Sequence, residues 1–128
     1  MGTLKVAVVG ATGRMGRMII ETVLKDENAE LVAAIDLEGH PMIGQKAGEL
    51  VGMRCDVPIT TDVESGVALA DCLIDFTRPE GALKHLEVCR RSKVSMVIGT
   101  TGFDDDGRWT IAEAAKEIPI VFAPNMCQ

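Results

Sequence analysis

The sequence predicts a doubly wound α/β domain, a parallel sheet covered by helices in a three-layer α/β/α arrangement. Three observations carry this. Strand-length apolar runs alternate with helical patterns along the whole chain. The runs are continuous rather than alternating, as in strands buried on both faces. The first of them, residues 4–9, ends in Gly10, Gly13 and Gly16, three glycines spaced three apart that open directly into an amphipathic stretch.

Taken in order, residues 4–9 read as a buried strand and 14–26 as a helix. That helix places Met15, Ile19, Ile20 and Val23 on one face and Glu21, Lys25 and Asp26 off it. Residues 31–35 form the second strand. From 37 to 56 the periodicity lapses at Gly39, Pro41, Gly44, Gly48 and Gly52, which predicts a long irregular connection of the kind that is usually functional or mobile. Residues 57–61 read as a short strand, followed by a short helix to Leu69 capped by Thr61 or Asp62. A strand at 72–76 leads to a helix at 79–92, with Pro79 in its first turn and Ala82, Leu83, Leu86 and Cys89 inward. A strand at 94–98 ends in Gly99-Thr100-Thr101-Gly102. Asp104, Asp105 and Asp106 open a helix that turns Ile111, Ala114 and Ala115 inward and ends near Glu117, and residues 118–123 form the last strand. Right-handed crossovers join such parallel strands.

The 128 residues make one domain, which buries roughly two thirds of its unfolded surface. Hydrophobic residues are 47% and aromatics only 3%, so aliphatics fill the core. A net charge of −6 without a basic run argues against nucleic acid and anionic membranes as partners. No apolar stretch approaches the roughly 20 residues of a membrane span, and no leader precedes the first strand, so a cytoplasmic location is expected. Cys55, Cys72, Cys89 and Cys127 show no C-x-x-C spacing and read as buried or incidental thiols rather than disulfides or zinc ligands. His40 and His85 lie far from any cysteine pair, and no metal site is expected. His85, in the middle of its helix, reads as a surface residue.

The glycine turn carries the chemistry. A strand turning sharply into a helix aims backbone N–H groups and the positive end of the helix dipole at one point, where a pyrophosphate binds. Gly10 suits the turn, Gly13 a close backbone approach to phosphate, and Gly16 tight packing of helix on strand. The spacing is G-x-x-G-x-x-G, with Thr12 where stricter fingerprints have a second glycine. Asp36, about 20 residues further on, stands where an acid accepts hydrogen bonds from a ribose, or where a solvated acid closes a strand. Arg14 either pairs with phosphate or lies along the surface. In such sheets ligands sit beyond the carboxyl ends of the strands. Those ends carry Phe76-Thr77-Arg78-Pro79, Gly99 to Gly102 and Ala123-Pro124-Asn125 as well as the glycine turn. Thr77 also fits a helix cap.

Four motifs in this order resemble the N-terminal half of the 4-hydroxy-tetrahydrodipicolinate reductase (dihydrodipicolinate reductase) family. They are V-A-V-V-G-A-T-G-R-M-G-R at 6–17, I-D-F-T-R-P-E-G at 74–81, V-I-G-T-T-G-F at 97–103 and F-A-P-N at 122–125. The resemblance implies a Rossmann-like fold and a reductase of diaminopimelate and lysine biosynthesis that passes hydride from NADH or NADPH to a cyclic dicarboxylic intermediate. By carry-over, Gly10, Ala11, Thr12, Gly13, Arg14 and Met15 hold the pyrophosphate, and Asp36 with Leu37 beside it the adenosine ribose. Phe76 flanks the nicotinamide, with Thr77 and Arg78 near its ribose. Gly99, Thr100 and Thr101 meet the carboxamide and ribose region, and Ala123, Pro124, Asn125 and Met126 close the site. Many members follow the ribose-binding acid with arginine, which meets the 2′-phosphate of NADP; Leu37 holds that position here. NADH is therefore expected to bind at least as well as NADPH, although Arg14 offers a charge and dual specificity is common in the family.

The His-His-x-x-Lys signature and Ser-Gly-Thr loop of the family's substrate domain do not occur in these residues, and Met126-Cys127-Gln128 departs from the family's Asn-Phe-Ser continuation. The expectation is a cofactor domain that binds dinucleotide without turnover, apart from the half that builds the family's homotetramer and carries its catalytic residues. Three readings of other kinds compete. A stand-alone nicotinamide-nucleotide sensor would use the same glycine turn but needs a partner surface. An extended dehydrogenase needs a Tyr-x-x-x-Lys pair, and this chain has no tyrosine. A CoA-binding ligase domain would need a phosphohistidine position that is missing.

Overall fold

A computed structural model describes residues 3–100 and 102–122. The strands are β1 (Leu4–Val9), β2 (Ala29–Ile35), β3 (Ile59–Thr60), β4 (Cys72–Asp75), β5 (Ser95–Ile98) and β6 (Ile120–Phe122). They form one six-stranded sheet in the order β3-β2-β1-β4-β5-β6, and every pairing between neighbours is parallel. The helices are α1 (Arg14–Lys25), α2 (Val63–Leu69), α3 (Pro79–Ser92) and α4 (Asp105–Ala114). This is the doubly wound, Rossmann-like α/β sheet that the alternating pattern predicts.

Two apolar clusters flank the sheet. Val6, Val8, Leu31, Ala34 and Ile59 meet Ile20 and Val23 of α1 on one face. Ala7, Val9, Ile35, Leu73, Met96 and Ile98 meet Val67 of α2, Leu86 and Cys89 of α3, and Ile111 of α4 on the other. The chain changes faces after β3, so the strand order reverses between β1 and β4. The loops leaving those two strands diverge to opposite faces and open a crevice between them.

Local chemistry explains the boundaries. Asp62 caps α2, accepting the Ser65 N–H at 3.1 Å, and Asp104 caps α4 through the Gly107 N–H at 2.8 Å. Pro79 stands at the start of α3, and Lys93 ends that helix in the left-handed region at φ 58°. Several edges differ from expectation. The third strand is shorter because Pro58, lacking an N–H, instead forms an antiparallel bridge with Lys46. Helix α4 ends at Ala114, three residues early, and Ala115 is exposed rather than inward. The last strand starts at Ile120, just after Pro119. The 37–56 connection is more ordered than its glycines imply. It contains a 3-10 turn, Ala47–Leu50, whose Ala47 is buried and donates its N–H to the Val57 carbonyl at 2.7 Å.

Candidate functional site: the crevice at the strand-order reversal

The glycine turn joins β1 to α1. Gly10 adopts φ +82°, where a side chain is strained. Gly16 is fixed by space: a Cβ there would lie 2.0 Å from the Gly10 carbonyl oxygen, so only glycine lets α1 pack onto the turn. Gly13 is the N-cap and supplies no side-chain cap, and the first turn of α1 carries no acid. Helices α2 and α4 have aspartate caps and acids in their first turns, and α3 carries Glu80 in its own. Among the described α-helices, the start of α1 is thus the one that presents its dipole without a carboxylate in its cap or first turn.

The amide donors differ in detail from a fan spread over the whole turn. The N–H groups of Gly10 and Ala11 both donate to the Ile35 carbonyl, at 2.9 and 3.1 Å, and the Gly13 N–H donates to Gly10 O at 3.1 Å. The first helical bond runs from Arg17 N–H to Gly13 O at 3.0 Å. The amides of Arg14, Met15 and Gly16 precede it and face the helix entrance. Arg14 is exposed and Met15 half-buried. Arg17, which sequence reasoning does not single out, donates its Nε–H to the Thr12 carbonyl at 2.9 Å and braces the turn from outside.

Asp36 follows β2 and is half-buried. It accepts the Thr12 N–H at 2.8 Å and the Thr12 hydroxyl on one oxygen, and the Leu37 N–H at 2.8 Å on the other. Burial works to raise its pKa, but these three hydrogen bonds and the nearby His40 outweigh it and hold the carboxyl below its ordinary range. Leu37 is 79% exposed and brings no charge.

A cleft of about 610 Å³ opens beside this acid. Gly10, Asp36 and Leu37 line one wall, and Phe76, Thr77, Arg78 and the first turns of α3 line the other. The structure therefore brings Phe76, Thr77 and Arg78 to the same cleft as the ribose-binding candidate. Gly99 and Thr100 lie one strand further, and both are buried. Gly99 is required by packing, since a Cβ would fall 1.9 Å from the Phe76 ring. The Thr100 hydroxyl donates to the Thr77 carbonyl at 2.6 Å, tying the two loops together. Thr77 does not cap α3; its N–H and hydroxyl turn back to Asp75, at 2.8 and 2.6 Å, and Arg78 occupies the N-cap. Thr101, Ala123, Pro124, Asn125 and Met126 lie outside the described residues.

His85 is a correction. It is not a surface residue: its side chain is 17% exposed, it lines the cleft, and its Nδ1 is 2.6 Å from Oδ2 of the fully buried Asp75. Gly81 and His85, one turn apart on α3, face the C-terminal end of β4 rather than solvent. An acid at the end of an apolar strand with a histidine ten residues on is the signal that could have found the pair. Among the described residues no group of three or more His, Cys, Asp or Glu side chains is placed to hold a metal ion, and no helix is long and apolar enough to cross a membrane.

Fold and site together define a Rossmann-type α/β domain whose ligand crevice lies at the strand-order reversal. The profile described as dihydrodipicolinate reductase, N-terminus, matches residues 4–126, and the chain belongs to that family. It is 61% identical over 126 residues to the 4-hydroxy-tetrahydrodipicolinate reductase of Dechloromonas aromatica, covering 98% of this chain and 47% of that protein. The corresponding reductase of Cupriavidus pinatubonensis is 59% identical over 96% of this chain and 46% of its own length. The chain thus spans about half the length of the curated relatives it matches. Among solved structures, dipicolinate-bound dihydrodipicolinate reductase from Paenisporosarcina superposes with a TM-score of 0.66 at 32% identity, covering 88% of this chain and 43% of that one. GenD2 from gentamicin A biosynthesis, solved with NAD, has a TM-score of 0.76 over 98% of this chain and 35% of that one. At 19% identity it shows shared fold alone.

Proposed function

We propose that this chain is the cofactor domain of a 4-hydroxy-tetrahydrodipicolinate reductase and binds NADH, with NADPH as an alternative. The observation that carries the reading is the entrance of α1, with no side-chain cap, no acid in its first turn, and Gly16 pressed onto Gly10. Such an entrance accepts a diphosphate on main-chain amides even in a protein of net charge −6. The residues present fit the dinucleotide. Amides of Arg14, Met15 and Gly16 hold the diphosphate with the Arg14 side chain beside it, and Asp36 takes the ribose hydroxyls of the adenosine half. The cleft beside Asp36 receives the rest of that half, and Phe76, with Thr77 and Arg78, is proposed to meet the nicotinamide and its ribose. Gly99, Thr100 and Thr101, with Ala123, Pro124, Asn125 and Met126, are proposed to border the nicotinamide end.

The cofactor supplies the hydride; this chain's residues fix its position. The rigid sheet end and the Thr100–Thr77 tie hold the two loops at the crevice mouth, a proximity effect on a cyclic dicarboxylic substrate carried by another domain. None of the described residues is placed as a general acid for the reduction, so the chain alone binds cofactor without turnover. The homotetramer of the family, diaminopimelate and lysine biosynthesis, and a cytoplasmic location are part of the same proposal.

Calorimetric titration of the folded chain with NADH tests binding. No heat of association at millimolar NADH refutes the reading. Steady NADH oxidation by the chain mixed with substrate, followed at the nicotinamide absorbance band, refutes the lack of turnover.

A further inference from the structure

The loops that leave β4 and β5 are joined in a closed ring of hydrogen bonds, and Asp75 stands in it twice. Its fully buried side chain accepts the Thr77 N–H at 2.8 Å and the Thr77 hydroxyl at 2.6 Å, both on Oδ1. The Thr77 carbonyl accepts the hydroxyl of Thr100, itself buried, at 2.6 Å. Gly99, next to Thr100, donates its N–H to the Asp75 carbonyl at 2.9 Å and closes the ring.

A carboxylate inside a sheet is costly unless its oxygens are engaged. Here Oδ2 is held as well, 2.6 Å from Nδ1 of His85, so the group cannot turn away from Thr77. A carboxylate accepts more strongly than a carbonyl, and hydrogen bonds that share partners in a low dielectric reinforce one another. Phe76 lies inside the ring. It stands between Asp75 and Thr77, and its phenyl group is pressed onto Gly99, where a Cβ would fall 1.9 Å from Phe76 Cε1. The same phenyl group lines the cleft. Its backbone is held from both sides and its far face rests on the β5 loop, so the wall is set before any ligand arrives.

We infer that Asp75 and Thr100 are positioning residues for the nicotinamide end of the dinucleotide: the ring they close with Thr77 and Gly99 holds Phe76 as a fixed wall beside the nicotinamide. The inference rests on the dinucleotide reading above and adds to it a buried carboxylate and a buried hydroxyl that act through Phe76. A wall already in place avoids the ordering cost that a loose loop meets on binding. Opening the ring at any one bond therefore releases the whole of it.

The test opens the ring in two places and compares NADH with ADP-ribose, which lacks the nicotinamide. Thr77→Val removes the hydroxyl bond to Asp75, and Thr100→Val removes the tie to Thr77; neither touches the Asp75–His85 contact. Each variant is expected to bind NADH about fivefold more weakly, the size of one lost hydrogen bond, with ADP-ribose affinity unaltered. The double variant should lose little more than either single one, because both open the same ring. Thr77→Ser and Thr100→Ser keep the hydroxyls and should restore NADH affinity. The nicotinamide emission of bound NADH, which reports the rigidity of its surroundings, should fall in the valine variants and return in the serine ones. Additive losses, an equal loss of ADP-ribose, unaltered NADH affinity, or failure of serine to rescue overturns the assignment. If the valine variants do not fold, hydrogen exchange in the unaltered protein decides: the Thr77 and Gly99 amides should exchange as slowly as those of the sheet, and fast exchange refutes the ring. Failure of the underlying reading looks different: neither NADH nor ADP-ribose binds the unaltered protein.

Discussion

The Asp36 carboxylate and Thr12 are joined twice, through the Thr12 N–H at 2.8 Å and through its hydroxyl, both on Oδ2. The residue proposed to receive a ribose is thus also the brace of the glycine turn. A carboxylate offers about four lone-pair sites, and Thr12 and Leu37 fill three, so a ribose hydroxyl is accommodated with little rearrangement. Thr12, in the place where stricter fingerprints carry glycine, links the glycine turn to the acid proposed to receive the ribose.

That link gives a pH signature. The folded-state pKa of Asp36 is lowered, so its contribution to stability is fully present above the unfolded-state value and is lost as pH falls through the folded one. Asp36→Asn puts an amide against N–H donors and is expected to lower the thermal midpoint at neutral pH. The gap from the parent protein should close below about pH 4. Thermal melts across a pH series check this, and a gap that stays constant or widens in acid contradicts it.

Much of this site is legible in the order of residues alone. Gly16 sits where a helix must touch the turn, and the spacing of three glycines after an apolar run requires no tertiary information. Helix α3 is legible at both ends because Pro79 and the last inward residue, Cys89, punctuate it. The Asp75–His85 pair is not, since it depends on how far β4 extends and which face of α3 turns toward that end. The 37–56 connection resists reading for another reason. Its order comes from bonds to distant strand ends, such as Ala47 N–H to Val57 O, and these leave no periodicity.

The proposed nucleotide preference rests on the β2 end. Asp36 repels a 2′-phosphate, and Leu37 is exposed and uncharged. Measured dissociation constants are expected to show NADH binding at least as tightly as NADPH, and Leu37→Arg should improve NADPH about tenfold through one charge-assisted contact. NADPH binding ten times tighter than NADH in the parent protein would overturn the argument, because Arg14, Arg78 or Lys84 would then supply the missing charge.

Tight packing at the turn makes a stability prediction. The Cβ of Gly16→Ala would meet main-chain atoms, the Gly10 carbonyl oxygen and the Ala11 Cα at 2.8 Å, and no flexible side chain can yield there. The variant should lose roughly 1–3 kcal/mol of stability and bind NADH more weakly as α1 shifts. Gly13→Ala is the control, since its nearest contact would be an ordinary 3.4 Å at φ −75°. Equal behaviour of the two in chemical denaturation would show that the close approach is not what fixes Gly16.

Thiol chemistry separates the cysteines by burial. Cys55, Cys72 and Cys89 are free, and burial is the main cause that pushes the Cys89 thiol up to about 12, with the Asp75 charge adding to it. Cys72 is raised in the same direction, by burial first and Asp71 second. The thiolate is the reactive form, so Cys89 should be the slowest of these three to alkylate in the native protein at pH 8, and Cys55 the fastest. Peptide mapping by mass spectrometry after timed iodoacetamide exposure distinguishes the sites. Cys89 packs inside the cluster with Leu86 and Met96, so reagent reaches it only when α3 opens. Adding NADH, proposed to bind in the cleft at the start of α3, is expected to slow its labelling further. Labelling of Cys89 as fast as Cys55 would mean that α3 is not held against the sheet.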